Sequence, residues 1–207
     1  MNEILKIPFA AFNNDWESLQ IFLGRRGFAN YEITDDLDLR VTDIESLGNL
    51  ISVGGNLDLR RSNVKHLGNL TSVGGNLYLG HSGIESLGNL TSVGGSLDLL
   101  ETLSIKTLGN LTSIGGWLDL WRSEIECLGN LTSVGSNLDL RRTKQLKTLG
   151  NLTSVGGCLE MDNSNVECLG KLTSVGGDLD VGLSPLSKKY SVKQLESMVN
   201  AKNFYHG

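Results

Sequence analysis

The sequence is dominated by one motif that returns every 20 or 21 residues. A Leu-Gly-Asn-Leu segment begins at Leu47, Leu67, Leu87, Leu108, Leu128 and Leu149, and a Leu-Gly-Lys-Leu variant begins at Leu169. A fixed period of this length is typical of solenoids, in which each repeat forms one coil and buries its apolar residues against its neighbours. The period therefore predicts a stack of coils rather than a domain with one central core.

A second motif, an apolar-x-apolar unit that is usually Leu-x-Leu, occurs eight times and predicts one strand per coil. Its middle residues are Asp38, Asp58, Tyr78, Asp98, Asp119, Asp139, Glu160 and Asp180. In a strand the flanking leucines point to one face and the middle residue to the other. We expect a β-rich, right-handed solenoid of eight coils with a parallel sheet, similar to a leucine-rich repeat or a β-helix.

Segments outside the repeat predict a helical cap at each end, because an open solenoid exposes leucines and unpaired backbone at its last coil. The expected divisions are an N-terminal helical cap over 1–33, the leucine-rich solenoid over 34–183, and a C-terminal helical cap and tail over 184–207. We expect Asn14 to be the N-cap of the first helix, with its end at Gly24 or Gly27. A closing helix is expected over 191–200 with Ser191 as N-cap, followed by a final edge strand or a frayed tail.

Other repeated positions read as requirements of stacking. The glycine of each Leu-Gly-Asn-Leu or Leu-Gly-Lys-Leu motif and the paired glycines mark corners that need a positive φ or a close backbone approach. A hydroxyl column is expected to hydrogen-bond to the backbone at the corner after each strand; it comprises Thr42, Ser62, Ser82, Thr102, Ser123, Thr143, Ser164 and Ser184. The asparagines of the Leu-Gly-Asn-Leu motif are expected to do the same at another corner. Charges alternate along the column Glu45, Lys65, Glu85, Lys106, Glu126, Lys147 and Glu167, which predicts an ion-pair ladder that fixes the register of the coils.

Composition limits the classes of function. The formal net charge is −5, which argues against a general binder of nucleic acid or anionic membranes. The amino terminus has no apolar run long enough for a signal peptide or a membrane span, so we expect a cytoplasmic protein, in the host cytoplasm if it is phage-encoded. The three cysteines, Cys127, Cys158 and Cys168, are expected to be free thiols.

The segment Leu-Thr-Ser-Val-Gly-Gly-Asn-Leu-Tyr-Leu, residues 70–79, resembles the repeat of receptor L domains. The 20-residue spacing with Leu-x-Leu strands also resembles short bacterial leucine-rich repeats, and the whole is similar to uncharacterised repeat proteins of bacteria and their phages. The resemblance implies a parallel solenoid that binds other molecules, mostly proteins, without a shared active site. The hydroxyl column stands where those families have asparagine, which favours a straight, β-helix-like rod over a curved horseshoe.

Catalytic and metal chemistry find little support in the sequence. The three histidines, His66, His81 and His206, lie in different columns or in the tail, without metal-ligand spacing. No Ser, His and Asp are placed together as a triad, and the glycine pairs lack the strand-to-helix context of phosphate loops. We therefore expect no enzyme activity, no catalytic residues, no metal site and no cofactor.

The strand residues that break the repeat form the candidate binding site. By alternation Trp117, Asp119 and Trp121 point outward from one coil, and Tyr78 and Leu100 lie on the same face of neighbouring coils. Clustered aromatic residues with Arg122 and Arg141 nearby are typical of binding hot spots. The sequence thus predicts a non-enzymatic protein-binding scaffold. The resemblance implies its specific form, a phage or bacterial protein that binds and inhibits a host protein.

Three other interpretations stay open. The outward acidic column, Asp38, Asp58, Asp98, Asp139, Glu160 and Asp180, is either a solvated face balanced by arginines, a mimic of nucleic acid, or a surface for a basic partner or a cation. The aromatic residues could instead mediate self-association into a homo-oligomer. A regular column of Thr71, Thr91, Thr112, Thr132, Thr153 and Thr173 raises ice binding as a remote alternative.

Overall fold

The computed structural model describes residues 4–27 and 30–206, and these form a parallel β-solenoid of eight coils with helices near both ends. The predicted fold class is confirmed. The expectation of one strand per coil is wrong, because each coil contributes a strand to each of two nine-stranded parallel sheets. We call them the serine sheet and the aspartate sheet after the outward residue that recurs in their strands. Coils are numbered 1–8 by the order of their strands in the aspartate sheet.

The strands of the serine sheet are β1 (Leu5–Ile7), β2 (Tyr31–Ile33), β4 (Leu50–Val53), β6 (Ser72–Val73), β8 (Ser92–Val93), β10 (Ser113–Ile114), β12 (Ser133–Val134), β14 (Ser154–Val155) and β16 (Ser174–Val175). Those of the aspartate sheet are β3 (Leu37–Asp38), β5 (Leu57–Asp58), β7 (Leu77–Tyr78), β9 (Leu97–Asp98), β11 (Leu118–Asp119), β13 (Leu138–Asp139), β15 (Leu159–Glu160), β17 (Leu179–Asp180) and β18 (Phe204–Tyr205).

Identical positions of successive coils stack directly on each other. Leu57 pairs with Leu77, and Asp98 pairs with Asp119, so each column of the sequence becomes a straight row across the sheet. The inward leucines form one continuous core from end to end and are almost fully removed from water. Burial of these leucines is the main source of stability in a stack whose coils contact only their neighbours.

The two kinds of glycine are required for different physical reasons. The glycine of the Leu-Gly-Asn-Leu motif has a positive φ, for example +61° at Gly68, which a residue without a Cβ adopts at little cost. The paired glycines instead allow a close backbone approach. A Cβ on Gly74 would collide with the carbonyl oxygen of Gly54 in the coil before it. Both expectations for glycine are therefore met, each at a different corner.

Side-chain hydroxyls hold the backbone at the corner that follows most strands of the aspartate sheet. In the predicted hydroxyl column, Ser62 Oγ donates to the carbonyl of Leu59 at 2.7 Å, and Thr102, Thr143 and Ser184 repeat this bond in their own coils. Three members differ. The buried hydroxyls of Ser82 and Ser123 have no hydrogen-bond partner among the described residues, and Ser164 Oγ accepts from the N–H of Val166 at 3.4 Å. The structural role predicted for this column is otherwise confirmed.

Some motif asparagines bond along the stack through their amide groups, whereas the described residues give Asn89 and Asn130 no side-chain hydrogen bond. Asn110 donates to the carbonyl of Gly88 and Asn69 donates to the side chain of Asn49.

The column of alternating charges from Glu45 to Glu167 forms only part of the predicted ion-pair ladder. Its close pairs are Lys65–Glu45 at 3.0 Å, Lys147–Glu167 at 3.0 Å and Lys106–Glu126 at 3.8 Å. Within the described ranges each of these lysines thus pairs with one acid of the column and not with both neighbours: Lys65 pairs with the coil before it, and Lys106 and Lys147 pair with the coil after it.

At the N-terminal end, a 3₁₀ helix at Phe9–Phe12 and helix α1 (Trp16–Arg26) cover the first coil. Asp15 caps α1 by accepting a hydrogen bond from the Glu17 N–H, so the prediction of Asn14 is wrong by one residue. Asn14 has a φ of +57° and belongs to the preceding turn. Gly27 ends the helix in the left-handed conformation, which confirms one of the two predicted stops.

At the C-terminal end, helices α2 (Pro185–Lys189) and α3 (Val192–Met198) cover the last coil. Ser191 and Gln194 form the predicted capping box, and β18 adds the final edge strand to the aspartate sheet. The cysteines are free thiols. Across residues 4–27 and 30–206, no helix has the length and apolar character needed to cross a membrane.

Candidate protein-binding face

The outer face of the aspartate sheet carries three ranks of side chains, spaced two residues apart along each strand. The first rank precedes the strand and consists of Asp36, Asn56, Asn76, Ser96, Trp117, Asn137, Cys158 and Asp178. The second rank is the middle residue of each apolar-x-apolar unit. The third rank consists of Arg40, Arg60, Gly80, Leu100, Trp121, Arg141, Asp162 and Gly182. Neighbouring members of one rank lie about 4.8 Å apart, the spacing of adjacent strands.

All six aspartates of the second rank have a structural bond that the sequence did not reveal. The Asp58 carboxylate accepts a hydrogen bond from the main-chain N–H of Arg60 at 3.1 Å, two residues later. The same bond recurs at Asp38, Asp98, Asp119, Asp139 and Asp180. These carboxylates therefore fix the corner that follows each strand, as the side chain of an Asx turn does. A structural role explains most of the acidic column.

Arginines of the third rank balance the charge of three of these aspartates. Arg60 Nη2 lies 2.5 Å from Asp58 Oδ2, and Arg40 and Arg141 pair in the same way with Asp38 and Asp139. Hydrogen bonds from Arg40 hold the pKa of the Asp38 carboxyl below its ordinary value. Arg141 also lies 3.0 Å from Glu160. Coils 1, 2 and 6 thus present paired charges, as the solvated, charge-balanced interpretation requires.

The first rank forms a ladder of acceptors. Asn56 Oδ1 accepts from the N–H of Asn76 at 2.8 Å, Asn76 Oδ1 accepts from Ser96 at 2.7 Å, and Ser96 Oγ accepts from Trp117 at 3.1 Å. Trp117 ends this run, since an indole can donate a hydrogen bond but has no acceptor for the N–H of Asn137. The tryptophan at this position therefore forfeits a bond that the stack makes elsewhere.

The other predicted binding residues also replace residues that stabilise the stack. Tyr78 stands where other coils have a carboxylate for the turn. Leu100 and Trp121 stand where coils 1, 2 and 6 have an arginine, so Asp98 and Asp119 have no guanidinium from their own coil. Asp98 lies at the centre of this group by register, with Tyr78 in the coil before it and Asp119 in the coil after it. We call Tyr78, Asp98, Leu100, Trp117, Asp119 and Trp121 the aromatic patch.

The aromatic rings are not equally accessible. Trp117 is exposed over 36% of its surface, whereas Trp121 and Tyr78 are half-buried. The guanidinium carbons of Arg122 and Arg142 lie 5.0 and 5.7 Å from the centroid of Trp121. At such distances the arginines attract the ring through cation–π interactions and cover part of it. The structure brings the predicted residues together, with Trp117 as the most accessible ring.

Tyr78 is held by two contacts. Arg60 lies 4.8 Å from its ring centroid, and Asn76 Nδ2 donates to its hydroxyl at 2.8 Å. Gly80 in the same coil lacks a side chain and opens a depression of about 740 Å³ that Arg60, Asp98 and Leu100 help to line. Neither Arg60 nor Gly80 was predicted as a site residue. In the sequence, a glycine in a rank of long side chains could have indicated this depression.

Asp98 and Asp119 differ electrostatically from the paired aspartates. Partial burial raises the pKa of both carboxyls, because it penalises the charged form. The charge of Asp58 also raises the pKa of Asp98, whereas Arg60 and His81 favour its charged form. The charges of Asp139 and Asp98 raise the pKa of Asp119, whereas Arg141 favours its charged form. One oxygen of each carboxylate accepts a backbone hydrogen bond, and the other has no hydrogen-bond or ion-pair partner among the described residues.

A row of residues with left-handed backbone borders the third rank and was not predicted from the sequence. One non-glycine residue directly after each third-rank residue has a positive φ, and these eight are Val41, Arg61, His81, Glu101, Arg122, Arg142, Asn163 and Leu183. No common residue type marks this position, so no sequence signal reveals its conformation. The left-handed conformation directs the side chains of Arg122 and Arg142 toward Trp121. Arg122 Nη1 also forms an ion pair with Glu101 Oε1 at 2.6 Å.

The threonine column lies beside the serine sheet, on the other side of the coil. Thr91 Oγ1 donates to the carbonyl of Thr71 at 3.1 Å, and the other five threonines make the equivalent bond to the coil before them. These hydroxyls are therefore turned to the backbone. Nowhere in residues 4–27 and 30–206 do three or more histidine, cysteine or acidic side chains form a group able to hold a metal ion.

Comparison of the chain with known protein families, with curated proteins and with solved structures gives no match. The resemblance to receptor L domains and leucine-rich repeats therefore stays a prediction. The aromatic patch is the feature from which a function can be inferred.

Proposed function

We propose that this protein is a non-enzymatic scaffold that binds a protein partner through the aromatic patch on its aspartate sheet. The observation that carries the proposal is the clustering of lost stacking interactions in coils 3, 4 and 5. Trp117 interrupts the acceptor ladder, Tyr78 removes a turn carboxylate, and Leu100 and Trp121 leave two carboxylates unpaired. Residues that break the rules of a fold without a structural gain are expected at functional sites.

The chemistry of the patch is that of a protein interface. It combines an accessible tryptophan with partly covered aromatic rings and with arginines that can hydrogen-bond across an interface. Tryptophan, tyrosine and arginine are the residues that most often dominate binding energy in such interfaces. The parallel rows also make the patch rigid, so little conformational entropy is lost on binding.

The specific form of this proposal follows from the resemblance to bacterial and phage repeat proteins. In that form the protein acts in the cytoplasm and inhibits a host protein by covering its surface. A mimic of nucleic acid is less favoured, because arginines neutralise the acidic column in coils 1, 2 and 6. Ice binding is less favoured because the threonine hydroxyls are bonded to the backbone.

The test compares capture by three tagged proteins from lysates of candidate hosts, read by quantitative mass spectrometry. Trp117→Ala combined with Trp121→Ala should lose a protein that the wild type captures, by about tenfold or more. Leu103→Ala is the matched control, since Leu103 is 63% exposed but lies outside the three ranks. All three proteins should unfold cooperatively, which excludes misfolding as the reason for a loss.

Two results would contradict the proposal. One is equal capture of every protein by the wild type and the double variant, and the other is a loss that Leu103→Ala causes equally. Self-association is tested by sedimentation of the wild type and the double variant at the same concentration. An oligomer that only the wild type forms would make a second copy of the chain the partner.

A further inference from the structure

We propose that the partner inserts an arginine side chain between Trp117 and Trp121, where its guanidinium binds the carboxylates of Asp98 and Asp119. This inference depends on the proposed function, because it specifies what kind of segment the aromatic patch receives. The expected segment presents one arginine flanked by apolar residues.

Charge complementarity is the first step. In coils 1, 2 and 6 the second-rank carboxylate has a guanidinium from its own coil, as Asp58 has from Arg60 at 2.5 Å. At coils 4 and 5 the corresponding arginine is replaced by Leu100 and Trp121. The free carboxylate oxygens of Asp98 and Asp119 are therefore left for a guanidinium that comes from outside the chain.

Geometry favours arginine over lysine at this position. Asp98 and Asp119 are register partners on adjacent strands, so their backbones lie about 4.8 Å apart. A guanidinium has five donors in a planar fork and can serve two carboxylates at once, whereas an ammonium acts as a point charge. The aliphatic stem of the arginine would lie against the apolar surface of Leu100 and Trp117.

Partial removal from water makes this pair more effective than a surface pair. Both carboxyls have a raised pKa because of burial, so both gain when a cation replaces the water that they have lost. The arginines already facing them are Arg60 at Asp98 and Arg141 at Asp119, and the imidazole of His81 also faces Asp98. Arg60 and Arg141 are bound to Asp58 and Asp139, which leaves their charge largely compensated.

The test is a titration followed by NMR, with two capped tripeptides as probes. Leu-Arg-Leu carries the guanidinium, and Leu-citrulline-Leu replaces it with a neutral group of nearly the same shape. The amide protons of Leu100 and Trp121 are the reporters, because they donate to the carboxylates of Asp98 and Asp119 at 2.9 and 2.8 Å. The arginine peptide should shift both signals, and the indole signal of Trp117, in a saturable manner.

The Asp98→Asn and Asp119→Asn double variant should bind the arginine peptide about tenfold more weakly, or not at all. Asparagine keeps the acceptor for the backbone N–H, so the corner and the fold are retained. Asp139→Asn is the matched control, because Asp139 already has Arg141 as partner, and it should bind as the wild type does.

The inference is overturned if the citrulline peptide binds equally well, if the double variant binds normally, or if no saturable shift appears at Leu100 and Trp121. Stronger binding of a Leu-Lys-Leu peptide would also overturn the choice of arginine. The proposed function fails separately. A partner whose capture requires Trp117 and Trp121 but is unaffected by the aspartate double variant would leave the scaffold function intact and refute only the arginine.

Discussion

The two sheets of this solenoid are built from the same repeat but differ in how far their outer residues vary. In the serine sheet the outward residue is serine from β6 to β16, and the neighbouring threonines all bond to the backbone of the coil before them. In the aspartate sheet the first and third ranks contain aspartate, asparagine, serine, tryptophan, arginine, leucine and glycine. One sheet is uniform and the other is diverse.

The difference separates what stacking requires from what it leaves free. On the serine side a corner glycine such as Gly115 lies against the backbone of the coil before it, so a larger residue has no space there. On the aspartate side the outer ranks face water, and Trp117 stands where Asn56 and Asn137 stand in other coils. Variation that stacking does not require is where recognition can be encoded.

The largest effect is expected from a methyl group placed at the serine-sheet corner. In Gly115→Ala the new Cβ would overlap the carbonyl oxygen of Gly94, an atom of rigid backbone. We expect the free energy of unfolding to fall by about 3 kcal/mol, the upper part of the range for overpacking. Chemical denaturation of both proteins measures this change.

The matched change on the aspartate sheet is Gly80→Ala. Its Cβ would lie 3.1 Å from the carboxylate oxygens of Asp98, which belong to the end of a side chain that can move. We expect a loss of only about 0.5 kcal/mol. If Gly80→Ala were as damaging as Gly115→Ala, the aspartate sheet would be as constrained as the serine sheet and the comparison would be wrong.

The sequence was sufficient for the coils, the inward leucines and the C-terminal capping box, because period and alternation report directly on which residues must be buried. It did not reveal the second sheet. The strands of the serine sheet contain only a serine and an inward valine or isoleucine in most coils, too short a segment for an alternating pattern. Two-residue strands become a sheet only through hydrogen bonds between coils.

The aromatic patch could be predicted in part. Alternation placed Trp117, Trp121 and Asp119 on the outer face, and counting residues placed Leu100 beside them. The cover of Arg142 on Trp121 could not be predicted, because it depends on a left-handed backbone that no residue type marks. The turn bonds of the aspartates were also missed, since a carboxylate looks the same in sequence whether it binds a partner or its own backbone.

A second substitution is expected to restore the charge pairing that coil 4 lacks. Leu100→Arg should place a guanidinium beside Asp98, as Arg60 lies beside Asp58 in coil 2. We expect the free energy of unfolding to rise by about 1 kcal/mol, because the carboxylate is partly buried and its second oxygen has no ion-pair partner among the described residues. The arginine stem covers the apolar surface that Leu100 covers. Thermal and urea unfolding measure the gain.

Leu103→Arg is the control for this change, since it adds the same side chain at an exposed position outside the three ranks. Its expected effect on the free energy of unfolding is within about 0.5 kcal/mol. The Leu100→Arg variant should also capture the partner less well. A more stable protein that binds less is the sign of a site whose residues serve recognition, and a variant without added stability would contradict the unpaired state of Asp98.

The smallest effect is expected from the double variant Asp98→Asn and Asp119→Asn, and it should depend on pH. Burial raises the pKa of both carboxyls above the value of about 3.9 that they have in the unfolded chain. Above the raised pKa both carboxylates are charged in the folded protein, and their burial disfavours folding. As the pH falls through the raised pKa, the folded protein binds protons more readily than the unfolded chain, so this penalty disappears.

Asparagine has no charge at any of these pH values and keeps the bond to the backbone. The double variant should therefore be more stable than the wild type at pH 7 by about 0.5 kcal/mol, a value reduced for the partial exposure of the carboxylates. This advantage should vanish as the pH falls below about 3.9. Urea unfolding of both proteins at pH 7 and pH 3.5 measures it.

Asp38→Asn is the control with the opposite sign. Hydrogen bonds from Arg40 lower the pKa of Asp38, so its contribution to stability is present above the unfolded value of about 3.9 and is lost as the pH falls through the lowered pKa. Removing its charge should destabilise the protein at pH 7. If both variants changed stability in the same direction at pH 7, the carboxylates of coils 4 and 5 would not differ from the paired ones, and the main electrostatic argument for recognition at the aromatic patch would be lost.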